Sequence, residues 1–214
     1  MVLRLNILVI ICNGVKGGGW VNTNNIIGLI VILVFYGSYF AKMFMQGKSG
    51  IKTDRMGRGS KPKKTFVIET ILKSITFLTA GIQFISIVFV KNLPILIQNN
   101  LIRYIGLVIA LLGVVVFITG MVTMRDSWRA GIDNTQKTKI INTGIYKYSR
   151  NPAFVGFDLF YIGIAIAFSN TFNLIFACSS ILLLHLQILE EEKFLPTVFG
   201  KEYLDYKKKT RRYF

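Results

Sequence analysis

Apolar and polar positions alternate along this chain in long blocks, and five apolar runs are long enough to form helices in a bilayer: 26–45, 66–90, 104–124, 153–168 and 172–189. The first has 20 residues and one charge, Lys42. At about 1.5 Å per residue it spans a hydrocarbon core of roughly 30 Å. The second carries Glu69 and Lys73 one turn apart near its basic end, spaced to pair or to reach the interface. The third has no charge in 21 residues, and Gly106, Ala110, Gly113 and Gly120 give it a face of small side chains suited to close helix packing. Only Ser169, Asn170 and Thr171 separate the last two runs, of 16 and 18 residues, so they form an antiparallel hairpin. These short arms thin the membrane locally or stop below its far interface, and Gly156, Gly163 and Ala167 provide the close-packing face of the first arm. The fold class expected is an all-α integral membrane protein with five transmembrane helices.

The polar blocks divide the chain into an N-terminal segment 1–25, a region 26–124 of three helices with a basic loop 46–65, and a region 125–214 that contains the hairpin 153–189. Residues 5–12 form an uncleaved apolar start, Gly17 to Gly19 break it, and Asn22 to Asn25 are candidate caps for a helix opening at Ile26. The loop 46–65 has seven cations against Asp54 alone, with four glycines and Pro62, which argues against a regular element.

Composition sharpens this picture. The chain is 52% hydrophobic and 17% charged, and 20 of its 26 Lys and Arg residues fall in segments 46–65, 125–152 and 190–214. A charge of +16 segregated in this way indicates basic cytoplasmic loops rather than a nucleic-acid stripe. The topology expected is an outside N-terminus, those three segments and the C-terminus on the cytoplasmic face, and Asn99 and Asn170 facing outward. Position 133 belongs to the cytoplasmic set. Cys12 and Cys178 have no spacing for a disulfide framework, and a single histidine, His185, leaves too few ligands for a zinc site.

Candidate chemistry gathers where apolar runs meet basic ones. Asn151 and Pro152 read as an N-cap and first helical residue, and the same helix N-terminus, with Arg150 beside it, suits a carboxylate. Gln187 and Glu191 share a helical face, and Glu190 to Glu192 are expected to end that helix, where extra negative charge is unfavourable. Lys193 and Arg150 can neutralise them, or one Glu can bind an ammonium or sulfonium ligand. Asp158, an isolated charge in the fourth run, marks a substrate path, a proton-handling site or a buried helix–helix hydrogen bond. Trp128 suits the interface and Arg129 a phosphate or carboxylate, whereas His185 reads as a packing residue.

Gly144-Ile145-Tyr146, Arg150-Asn151-Pro152, the run Glu190 to Glu192 and Phe199-Gly200 followed by Tyr203 and Tyr206 resemble the C-terminal signature of the isoprenylcysteine carboxyl methyltransferase family and its phospholipid methyltransferase relatives. The resemblance covers roughly residues 125–212. It implies a small multispanning enzyme that holds S-adenosylmethionine in a pocket closed by a cytoplasmic C-terminal segment and takes a lipid-like or apolar acceptor from the membrane. On that basis Lys139, Ile140 and Ile141 line the adenosyl part and Tyr146 packs beside it. Asn151, Pro152, Ala153 and Phe154 make the hairpin-entry contacts, and Glu191 the polar contact. Family members often have His at Asn151 and Tyr at Phe154, and the eukaryotic enzymes have a substrate-binding Arg at Gln187, so a prenylcysteine carboxylate is not the acceptor expected. Arg150 and Asp158 are the candidates for a catalytic role. Two other classes compete: a membrane NADPH-dependent reductase of sterol-reductase type, and a non-enzymatic membrane scaffold.

Overall fold

The computed structural model describes residues 23–90, 92–132 and 139–214, and their regular elements are all helical. The apolar start at 5–12, Cys12, the glycine break and position 133 lie outside the described residues. Five α-helices follow in order: α1 Thr23–Lys48, α2 Lys63–Val88, α3 Asn100–Met124, α4 Pro152–Ala167 and α5 Thr171–Lys209. Four of them, α1, α2, α3 and α5, are long and apolar enough to cross a membrane. The 16 residues of α4 reach only about 24 Å, short of the hydrocarbon core.

The hairpin arms α4 and α5 do not pack mainly on each other. Instead α4 lies along α3 and α5 along α2, while α1 bridges α3 and α2. The small faces read from the sequence make the first pairing possible, since a Cβ added at Gly163 would stand 2.3 Å from Ala110 N and one at Gly113 2.5 Å from Phe160 N. Around that seam Phe35 of α1 stacks on Phe160 with ring centroids 3.8 Å apart, and Phe117 and Phe157 meet Phe35 from other sides. Leu33, Phe44, Phe77, Leu101 and Leu182 stand exposed on the outside, an arrangement that suits lipid and not water.

Polar groups tie the bundle at both ends. At one end Asn25 Nδ2 donates to Ile87 O, Arg103 to Asn25 Oδ1 and Ala167 O, and Asn170 Nδ2 to Ser86 Oγ. The basic segments converge on the other end, where Arg55 N donates to Ala130 O, Ala130 N to Thr53 O and Thr65 Oγ1 to Glu190. All three being at one end is the arrangement the charge pattern requires.

Several expectations are corrected. The described part of α1 is already helical at Thr23, so Asn24 and Asn25 are buried inside the helix and are not caps, and Asn22 lies outside the described residues; in an apolar bundle the Asn25 amide does more by bonding across helices to Ile87 O. Glu69 and Lys73 do not pair, because Lys61 reaches Glu69 and Asp54 reaches Lys73. Trp128 is core, 6% exposed and edge-on to Phe117. The largest correction concerns α5, which does not stop at the acids but runs on to Lys209 with a kink at Gly200. Hydropathy marks where lipid contact ends, whereas a helix persists as long as its residues favour it, and Glu, Leu and Lys do. The acids are therefore mid-helix, and the terminal dipole penalty does not apply.

Candidate functional site

Three adjacent acids on α5 have three different environments, set by the 100° step of the helix. Glu190 faces α2, where Thr65 Oγ1 and Lys193 Nζ donate to it and Lys64 lies 3.7 Å away. Glu192 faces the segment after α5 and receives Arg150 Nη2 at 2.5 Å and Arg212 in bidentate form at 3.2 and 2.8 Å. These two are neutralised, by Lys193 and Arg150 as the sequence allowed. Glu191 is not. It is half-buried, and among the described residues no cation lies within 4 Å of it. Its hydrogen bond comes from Gln187 Nε2 at 3.0 Å.

Gln187 is 1% exposed, and its amide nitrogen donates to both Glu191 Oε1 and Glu69 Oε1. Two carboxylates on one side fix the amide orientation, because both are acceptors. Gln187 Oε1 is left buried without a partner. Glu69, which sequence reasoning treated as a surface charge, is the hub behind it. Fully buried on α2, it accepts from Gly57 N and Lys61 Nζ on one oxygen and from Ile132 N and Gln187 Nε2 on the other. The signal available was a lone Glu within an apolar run, a position that membrane helices reserve for interior partners.

Tyr146 stands in the 3₁₀ turn Gly144–Lys147, 5% exposed, and its carbonyl accepts from Tyr206 Oη at 2.6 Å. Burial, with Tyr206 and Glu191 nearby, pushes its hydroxyl pKa well up, so it remains a neutral phenol beside Glu191. A cleft of about 440 Å³ opens at the start of this turn, lined by Val122, Thr123, Arg125, Ile141, Thr143 and Gly144. Gly144 has φ +59° with Thr123 Cγ2 3.1 Å from where a Cβ would lie, so the turn needs glycine. Ile141 thus lines the cleft, Ile140 is half-buried next to it, and Lys139 is exposed with its N–H on Ser127 Oγ.

Residues 210–213 form a strap across the entry to α4. Arg150 N donates to Arg211 O, Asn151 Nδ2 and Ser149 Oγ donate to Arg212 O, and Arg150 Nη1 also bonds Thr210 O. The Asn151 side chain thus holds the strap and makes no N-cap hydrogen bond, although Pro152 does occupy the first helical turn. Ala153 packs on Gly120, and Phe154 is half-buried against the core. Arg150, 8% exposed at its side chain, is committed to Glu192 and the strap carbonyls. Asp158 lies apart from Arg150, on the membrane-embedded part of α4, with Oδ1 lacking a hydrogen-bond partner and Tyr213 of the strap within electrostatic reach. Tyr213 Oη sits 2.6 Å from His185 Nδ1, so His185 is more than packing.

The model of the phospholipid methyltransferase family matches residues 101–202. The chain is 30% identical over 119 residues to the protein-S-isoprenylcysteine O-methyltransferase of Xenopus laevis, an alignment covering 54% of this chain and 41% of the frog protein. It therefore spans less than half the length of that relative. A solved eukaryotic intramembrane Ras methyltransferase, an isoprenylcysteine carboxyl methyltransferase, is 19% identical with a TM-score of 0.49, over 71% of this chain and 52% of its own.

Proposed function

We propose that this chain is a membrane methyltransferase of the isoprenylcysteine carboxyl methyltransferase and phospholipid methyltransferase type, and that it moves a methyl group from S-adenosylmethionine to a lipid-like or otherwise apolar acceptor. Glu191 carries the reading. A carboxylate with no cation within 4 Å, between two neutralised acids, lacks the close partner that its desolvation calls for. The ammonium or sulfonium of the cofactor is such a partner, and the unpartnered Gln187 Oε1 can accept from the same ligand. Ile141 and Gly144, with Lys139 and Ile140 before them, would hold the adenosyl part at the cleft. Tyr146 would lie beside it, and Asn151, Pro152, Ala153 and Phe154 would close the site at the hairpin entry. When bound, the cofactor supplies an electrophilic methyl group. The chain's share is then to orient both reactants and keep water out, and the strap held by Arg150 and Asn151 suits both tasks.

The acceptor is read from Gln187. It stands where the eukaryotic enzymes have an Arg, and its amide nitrogen is taken by Glu69 and Glu191, so this position offers no guanidinium to a substrate carboxylate, and the acceptor is a lipid-like molecule other than a prenylcysteine acid. Asp158, partway down the short helix α4, stands on its path from the bilayer.

Calorimetry on the purified protein tests the cofactor site. Glu191→Gln is expected to weaken S-adenosylmethionine binding about tenfold or more, the value of a charge-assisted hydrogen bond, while Glu202→Gln in the exposed part of α5 leaves it near wild type. Equal effects would sink the assignment. Methyl-labelled cofactor followed by mass spectrometry of the lipid extract identifies the acceptor, and binding of NADPH in place of S-adenosylmethionine would favour the reductase class.

A further inference from the structure

A second concavity, of about 340 Å³, lies against the strap and is lined by Lys147, Tyr148, Lys209, Thr210, Arg211 and Phe214. Three cations therefore share one small depression. The acids nearest in sequence are already engaged, Glu192 by Arg150, Lys207 and Arg212, and Asp205 by Lys208. Among the described residues none of Lys147, Lys209 or Arg211 has an acid within 4 Å. The backbone holds them together: Ser149 bridges to Arg211, Thr210 Oγ1 donates to Lys147 O, and Arg150 bonds the Lys207 and Thr210 carbonyls. Exposed cations of one sign gathered around a concavity concentrate an anion there.

Position decides which anion. Lys147 and Tyr148 precede Pro152, the first residue of the apolar helix α4, by five and four residues, so the depression sits at the level where lipid headgroups begin. Tyr148 and Phe214, 69% and 56% exposed, flank it. Exposed aromatic rings beside cations at this depth are the side chains that settle among headgroups and the first methylenes of acyl chains. We propose that this depression binds the phosphate of an anionic phospholipid headgroup, with Lys147, Lys209 and Arg211 as its charge partners and Tyr148 and Phe214 against the lipid. The site is separate from the proposed methyl-transfer site and stands without it. A bound headgroup would also hold the strap that covers Asn151 and clamps Glu192.

The test uses the full chain in mixed micelles containing phosphatidylglycerol and phosphatidylcholine, with retained lipid counted by native mass spectrometry. Wild type is expected to retain phosphatidylglycerol preferentially. Replacing all three cations, Lys147→Gln, Lys209→Gln and Arg211→Gln, should lower that preference about tenfold or more. A control with the same charge change at the exposed Lys52, Lys63 and Lys201 should keep it, as should the conservative pair Lys147→Arg and Lys209→Arg. No preference in wild type, or equal loss in both triple variants, overturns the proposal. So does displacement of the lipid by millimolar inorganic phosphate, which would make the depression a free-phosphate site. Persistence of the bound phosphatidylglycerol in that phosphate supports the headgroup.

Discussion

Glu69→Gln tests whether one buried carboxylate organises the basic end of the bundle. Its two oxygens take four donors: Gly57 N at 2.9 Å and Lys61 Nζ at 2.5 Å on one, Ile132 N at 2.8 Å and Gln187 Nε2 at 3.3 Å on the other. The substitution keeps the size and converts one oxygen to a donor, so one of these pairs must face an N–H group. It also removes the charge opposite Lys61, whose side chain is 6% exposed. Removing one partner of a buried ion pair costs about 3–5 kcal/mol. Lys61 keeps its bond to Arg55 O at 2.7 Å, which favours the lower end, about 3 kcal/mol. For a chain of this size that corresponds to a fall in Tm of about 6–12 °C. The assay is thermal unfolding in detergent of wild type, Glu69→Gln, Lys61→Met and the double variant, with a coupling of about 1.5 kcal/mol or more expected. Because Glu69 also holds Gln187, and through it Glu191, the variant should weaken binding of S-adenosylmethionine as well. A fall in Tm under about 2 °C, or strict additivity, would refute the idea that this pair ties two loops and two helices together.

Two further outcomes follow from the bundle. Gly163→Ala places a methyl 2.3 Å from Ala110 N, with backbone on both sides of the seam, and should cost at least about 1–3 kcal/mol in thermal unfolding; Gly37→Ala on α1 has nothing within 4 Å and should be neutral or slightly stabilising, so matching effects would contradict the α3–α4 seam. Cysteines introduced at the exposed Lys52, in the same loop as Gly57, and at Asn99 should react with a membrane-impermeant reagent from opposite sides, position 99 from outside, and labelling of position 52 in intact cells would reverse the proposed orientation.

How far the sequence reached can be judged residue by residue. The order of the apolar helices among the described residues, the small faces of α3 and α4, and the gathering of basic segments at one end follow from local composition: apolar length, side-chain size and charge are properties of short windows. The family signature was legible for the same reason, since it lies in contiguous motifs between residues 144 and 206. That Glu190, Glu191 and Glu192 differ was not legible. Three identical neighbours acquire separate environments only when α2, the 3₁₀ turn and the strap approach α5 from different directions, across separations of 42 residues for Arg150 and 125 for Thr65. The end of α5 was missed because a hydropathy window reports where lipid stops, whereas helix continues on propensity and packing. Glu69 shows the same division. Sequence marks it as a charge in an apolar run, but only the fold brings Gly57, Lys61, Ile132 and Gln187 to its two oxygens, because a hydrogen bond is decided by distances of a few tenths of an ångström between groups far apart in the chain.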